Sequence, residues 1–164
     1  MSLKMMAARI LESHPFGYRL AVFLLDNFDF LLPHEMDYHG FPVLARKIDF
    51  PYKTILDLGA NRGHSGRAFL KLLSGWRVVS FEANPNHSTR LRHIKENNAG
   101  RYDFVIGAVS DKNGGEVSFY VPRYAAVDLH SAGALDEKDA REGAGGAYPK
   151  LADKLSMQKT PPAC

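Results

Sequence analysis

The chain is predicted to fold as an α/β domain, a Rossmann-like three-layer sandwich on parallel strands, and three observations carry that expectation. Ile55, Leu56 and Leu58 form a short apolar run that ends in Gly59-Ala60-Asn61-Arg62-Gly63. A second run, Trp76-Arg77-Val78-Val79-Ser80-Phe81, closes on Glu82. Between them lies a stretch of helical periodicity, so strand, glycine loop, helix and acidic strand end follow in the order of a βαβ unit.

Residues 1–53 read as an N-terminal helical appendage. Leu20 to Leu32 is apolar yet carries Asp26, Asn27 and Asp29, which suits a helix packed on the domain. It is too short for a bilayer, which needs about 20 apolar residues, so no transmembrane segment is expected. Pro33 and Pro42 bracket a loop, and Pro51 precedes the first core strand.

The core is expected over residues 54–123. Its first strand, continuously apolar, suits a parallel sheet buried on both faces. After Gly63, the residues Gly66, Phe69, Leu70 and Leu73 recur at helical spacing, and Ser74-Gly75 supplies the stop. Asn84 as N-cap and Pro85 at the first helical position open a second helix. Leu91 and Ile94 supply its inner face, Arg90, Arg92 and Lys95 turn to water, and Asn97-Asn98-Ala99-Gly100 ends it. Phe104 to Val109 reads as the third parallel strand, with a right-handed crossover like the first. Asp111-Lys112-Asn113-Gly114-Gly115 is a hairpin signal, and the alternation of Val117, Phe119 and Val121 with polar neighbours predicts a strand antiparallel to its predecessor. Residues 124–164, with Gly143-Ala144-Gly145-Gly146, Pro149, Pro161 and Pro162, read as loop-rich and partly disordered, Leu151 to Met157 alone suggesting a short helix.

Composition narrows the function classes. A chain of 164 residues, 45% apolar, can bury one real core. The net charge of +3 and pI near 9.0 would suit an anionic partner, but the basic residues are spread along the chain and no aromatic-interleaved basic block appears, so no nucleic acid is expected. The single cysteine, Cys164, excludes an intrachain disulfide framework and a cysteine zinc cluster. Asp128, His130 and Asp136 fit no recognisable metal spacing. Lys4, Arg9, Glu12 and His14 interrupt any signal-peptide core, and a reducing, cytoplasmic location is expected.

Charge near the glycine loop discriminates between nucleoside cofactors. Asp57 stands two residues before the first glycine, where a carboxylate suits the cationic methionine end of S-adenosyl-L-methionine and repels a pyrophosphate. Glu82, at the end of the second strand, is placed to accept from ribose hydroxyls, a feature the two cofactor classes share. The glycines fall at 59, 63 and 66, not in the dinucleotide pattern, with Asn61 where a middle glycine would stand. Asn tolerates the left-handed region better than most residues.

The runs ILDLGANRG, SFEANPN and VIGAVSDKNGGEVSFY resemble the FkbM-like family of S-adenosylmethionine-dependent methyltransferases, known mainly for methylating hydroxyl groups of sugars and natural products. The likeness spans residues 54 to 121, and its most specific element joins Gly59-Ala60-Asn61 to Phe81-Glu82-Ala83-Asn84-Pro85. It implies a class I methyltransferase fold. Asp57, Gly59, Asn61, Gly63 and Glu82 would hold the cofactor, with Ala60 and Ala83 beside them and Ala108 and Val109 near adenine. The acceptor would be a small hydroxylated molecule. No catalytic base is identified; His64 and His130 are the histidines nearest the expected site.

Family members continue into an acidic strand of the form Lys-Ile-Asp-Val-Glu-Gly, which is not matched here. The fold is therefore expected to be truncated after the third strand and its hairpin. An alternative follows, a truncated or degenerate homologue that retains cofactor binding without turnover. A nicotinamide-dependent oxidoreductase is the third reading, and Asp57 and the glycine spacing argue against it.

Overall fold

A computed structural model describes residues 38–110, 116–125, 127–129 and 133–163, together with His14, Phe16, Gly17 and Leu20. The expected Leu20 to Leu32 helix, apart from Leu20, lies outside the described residues, as do the turn 111–115, His130 and Cys164. The chain divides into two compact units, one running from Pro33 to Glu116 and one containing Val117–Pro162.

The first unit is built on three parallel strands in the order β1 (Thr54–Leu58), β2 (Arg77–Glu82), β3 (Tyr102–Ile106). Ile55 lies opposite Val78, and Val78 opposite Tyr102, so the period-two rule sorts the side chains across the whole sheet. Ile55, Asp57, Val78, Ser80, Glu82, Tyr102, Phe104 and Ile106 share one face. Helices α2 (His64–Leu72) and α3 (Ser88–Asn97) cover it. The resulting core joins Ala60, Phe69, Leu70, Leu73, Val78, Leu91, Ile94 and Tyr102.

Two expectations are corrected here. The sheet is not buried on both faces: Leu56 is 64% and Leu58 61% exposed. The described residues therefore make two layers where three were expected. The physical reason lies in the strand order, since successive crossovers of one hand between adjacent strands place both helices on the same side. The third strand also ends at Ile106, before Ala108 and Val109. Gly107 N–H donates to the Glu82 carbonyl at 2.8 Å as the ladder's last rung, and the chain then leaves the register.

Helix ends match the sequence signals closely. Gly63, Gly75 and Gly100 all take positive φ, and α2 and α3 bury the apolar positions expected of them. Asn84 caps a short 3-10 turn, Pro85–His87, by accepting from Asn86 N–H at 3.1 Å, and α3 follows directly. Arg92 and Lys95 are exposed as expected, whereas Arg90 is half-buried. Helix α1 (Phe41–Lys47) starts at the end of the loop expected between Pro33 and Pro42, with Pro42 in its first turn, where a missing N–H costs nothing. Tyr38 and Phe41 stack on Phe69, ring centroids 4.8 and 4.9 Å away. Arg101 closes the C-terminal end of α2: its guanidinium donates to the carbonyls of Leu70, Leu73 and Trp76 at 2.8, 3.0 and 3.2 Å.

The second unit is a small α+β body. Strand β4 (Val117–Tyr124) lies between β5 (Val127–Asp128) and β6 (Ser156–Ala163). The expected antiparallel strand thus forms, but pairs with β5 and β6 and not with β3. Arg123 faces Asp128 across β4 and β5 and bonds its carboxylate. Helix α4 (Glu137–Ala147) and a 3-10 turn, Pro149–Lys154, precede β6, so the region read as loop is largely ordered into elements. Asp136 caps α4, accepting from Lys138 and Asp139 N–H. Ala144, Tyr148, Leu151 and Leu155 pack with Val127 and Leu129. Pro161 and Pro162 are tolerated because β6 is an edge strand, which can forgo donors.

Candidate functional site

The strand ends of β1 and β2 bring the expected acidic residues together. The loop after β1 turns twice through the left-handed region, with φ of +78° at Gly59 and +51° at Asn61, before Gly63 at +78° opens α2. Gly59 and Ala60 N–H both donate to the Phe81 carbonyl, and Gly63 N–H returns to the Ala60 carbonyl. Asn61 N–H donates to Glu82 Oε2 at 2.6 Å. The loop amides at these four positions are thus spent within the protein, whereas a pyrophosphate cradle needs them turned outward.

Glu82 is 6% exposed. Its second oxygen, Oε1, accepts from Asn84 N–H at 2.7 Å. Burial pushes this carboxyl above the ordinary range; the two amides oppose the rise, and the charge of Asp57 adds to it. A carboxylate offers about four lone-pair positions, so two amides leave acceptor capacity for hydroxyl donors.

Asp57, 8% exposed, points beneath α2. Ser65 Oγ donates to it at 2.8 Å and Ser80 Oγ at 2.9 Å. Tyr102 lies against the same cluster without a well-formed hydrogen bond of its own. Burial pushes its phenol up to about 12, opposed by the adjacent Ser80 hydroxyl and helped by the charge of Asp57. Ser65, Ser80 and Tyr102 were not singled out from the sequence. Ser80 was legible in principle, because period two places it on the inward face between Val78 and Glu82.

The other expected residues divide by role. A Cβ on Gly59 would meet nothing within 4 Å, so space lies open beside the loop. A Cβ on Gly63 would run into Ile94 and stand 3.0 Å from Leu91 Cδ2, so this glycine is demanded by helix packing. Ala60 belongs to the core, and Ala83 is half-buried beside Glu82. Ala108 is half-buried and Val109 exposed, both past the end of β3. His64 is the first residue of α2 and half-buried. Asp128 and Asp136, in the second unit, are engaged by Arg123 and by the α4 cap. Among the described residues no helix is long and apolar enough to cross a membrane.

Two buried carboxylates stand at adjacent strand ends, the loop amides face inward, and the open space lies beside Gly59. The chain matches no family model, no curated protein and no solved structure.

Proposed function

We propose that the first unit binds S-adenosyl-L-methionine and that the chain is a methyltransferase of the FkbM-like type, acting on a hydroxyl of a small molecule. The observation that carries this reading is the pair of buried carboxylates, Asp57 and Glu82, beside a glycine loop whose amides are spent internally. A pyrophosphate placed there would meet negative charge without the amide donors that normally offset it, which disfavours the nicotinamide alternative.

In this reading Glu82 accepts from the ribose hydroxyls with its remaining lone pairs. Gly59 permits close backbone approach, and Asp57 holds the N-terminal turn of α2 through Ser65 while adding negative potential toward the methionine ammonium. Ala83, Ala108 and Val109 line the adenine side. When bound, the cofactor supplies an activated methyl group on a sulfonium. The protein then has to hold the acceptor oxygen in line at about 3 to 3.5 Å and to receive its proton.

Calorimetry with S-adenosylhomocysteine tests the reading. One saturable site per chain is expected, weakened by about 1.5 to 3 kcal/mol in Glu82→Ala, the usual worth of a charged hydrogen bond. Absence of binding by a folded, monodisperse sample, or equal competition by a nicotinamide dinucleotide, overturns it. Transfer of labelled methyl to hydroxylated acceptors then separates an active enzyme from a homologue that binds without turnover.

A further inference from the structure

We propose that Glu82 is a positioning residue, a proton-sensitive fastener that ties the glycine loop after β1 to the turn after β2. This deepens the nucleoside reading, on which its consequence for binding rests; the fastening itself is a property of the unliganded chain.

The geometry is specific. One carboxylate bonds two loops, Oε2 to Asn61 N–H at 2.6 Å and Oε1 to Asn84 N–H at 2.7 Å. Asn61 holds a left-handed conformation, φ +51°, which asparagine tolerates better than most L residues. Its amide is placed by Glu82. On the other side Asn84 is completely buried and caps the 3-10 turn that leads into α3. Glu82 therefore joins the entry to α2 with the entry to α3, the two walls above the strand ends.

Protonation breaks this symmetry. A carboxylate accepts strongly through both oxygens, whereas a carboxylic acid keeps one strong acceptor, its carbonyl oxygen, and turns the other into an O–H donor that accepts only weakly. Once Glu82 takes a proton, the oxygen that carries it no longer serves its amide, and one of the two loops is released. Among the described residues, the charge of Asp57 on the neighbouring strand is of like sign and favours the proton, while the two amides favour the ionised form. The elements it joins carry Arg62 and His64 on the first side and His87 on the second. Burial and Asp57 favour the proton, which moves the release into the range above ordinary carboxylates.

The test follows the backbone amide signals of Asn61 and Asn84 by two-dimensional NMR as the unliganded protein is titrated with acid. Both signals are expected to shift with one common midpoint above 4.5, and the protection of at least one of the two amides against solvent exchange, relative to its intrinsic rate, to fall by about tenfold or more below it. In Glu82→Gln, which has one acceptor oxygen at every pH, the common midpoint disappears and one of the two amides exchanges fast throughout. Two amides that do not titrate together in the wild-type protein overturn the proposal, and this arm needs no variant to fold. A midpoint that survives in Glu82→Gln, and so belongs to another group, overturns it too. The affinity for S-adenosylhomocysteine is expected to fall about tenfold through the same midpoint. If the amides titrate together and that ligand never binds, the fastener stands and the cofactor reading falls. If it binds and the amides do not titrate, the reverse holds.

Discussion

Gly63→Ala separates two explanations for one glycine. The loop motif suggests that Gly63 lets a ligand approach, whereas the structure makes it the contact point between α2 and α3. A methyl group there would collide with Ile94 Cδ1 and lie 3.0 Å from Leu91 Cδ2, and neither neighbour has solvent to retreat into. The φ of +78° adds a second cost. Overpacking costs about 1 to 3 kcal/mol and the left-handed conformation about 1 to 2 kcal/mol, so a loss of about 2 to 5 kcal/mol is expected. Ile94→Val deletes the colliding atom at its own cost of about 0.5 to 1.5 kcal/mol. In the double variant the new methyl fills that space, and the loss should fall short of the sum of the single losses by at least about 1 kcal/mol. Urea denaturation followed by fluorescence of Trp76, the single tryptophan, which stacks on Phe50 within this unit, gives all four values. Additive losses, or a Gly63→Ala protein as stable as wild type that fails only to bind ligand, would refute the packing argument.

Other consequences are independent of it. Arg101→Ala should cost about 1.5 to 3 kcal/mol, because a charged donor to three carbonyls at the end of α2 is lost. Arg101→Lys should recover less than half of that in the same denaturation assay, since a point charge cannot span three acceptors. Absorbance titration should find one phenol ionising near 12, absent in Tyr102→Phe. Its folded pKa is raised above the unfolded value of about 10. That contribution to stability is full below about 10 and is lost as pH rises through 12, roughly 3 kcal/mol in all. Glu82 obeys the same sign at acidic pH: its contribution is full below 4.5 and is lost as pH rises through the higher folded value. The stability of wild type relative to Glu82→Gln should therefore fall with rising pH over that window, and a rise would contradict the assigned direction.

Local signals in the sequence determined the elements of the first unit. Alternating or continuous apolar residues, the Asn84-Pro85 cap and glycines at positive φ act within a few residues of chain, so β1, β2 and the helices between the strands were legible from it, as was the left-handed role of Asn61. The meeting of Asp57 and Glu82 at adjacent strand ends was legible for the same reason, because a βαβ unit leaves few alternatives. What these carboxylates touch was not. That Asp57 turns to Ser65 and Ser80, and that Glu82 spends both oxygens on backbone amides, depends on register between strands and on the packing of α2 over them. Gly63 carries a packing role for the same cause, since its neighbours Leu91 and Ile94 come from another helix. The second unit shows the limit most clearly. Helix α4 contains Gly143, Gly145 and Gly146, each costing about 1 kcal/mol of helix propensity against Ala, and local reading accordingly favours a loop. Burial of Ala140 and Ala144, with the Asp136 cap, supports the helix in their place. Likewise Val117–Tyr124 carries the alternation of a strand but no indication of its partner, and only the tertiary fold decided that it pairs with β5 and β6. Propensity and pattern are short-range properties of a chain, whereas pairing, burial and side-chain partners are set by residues far apart in sequence.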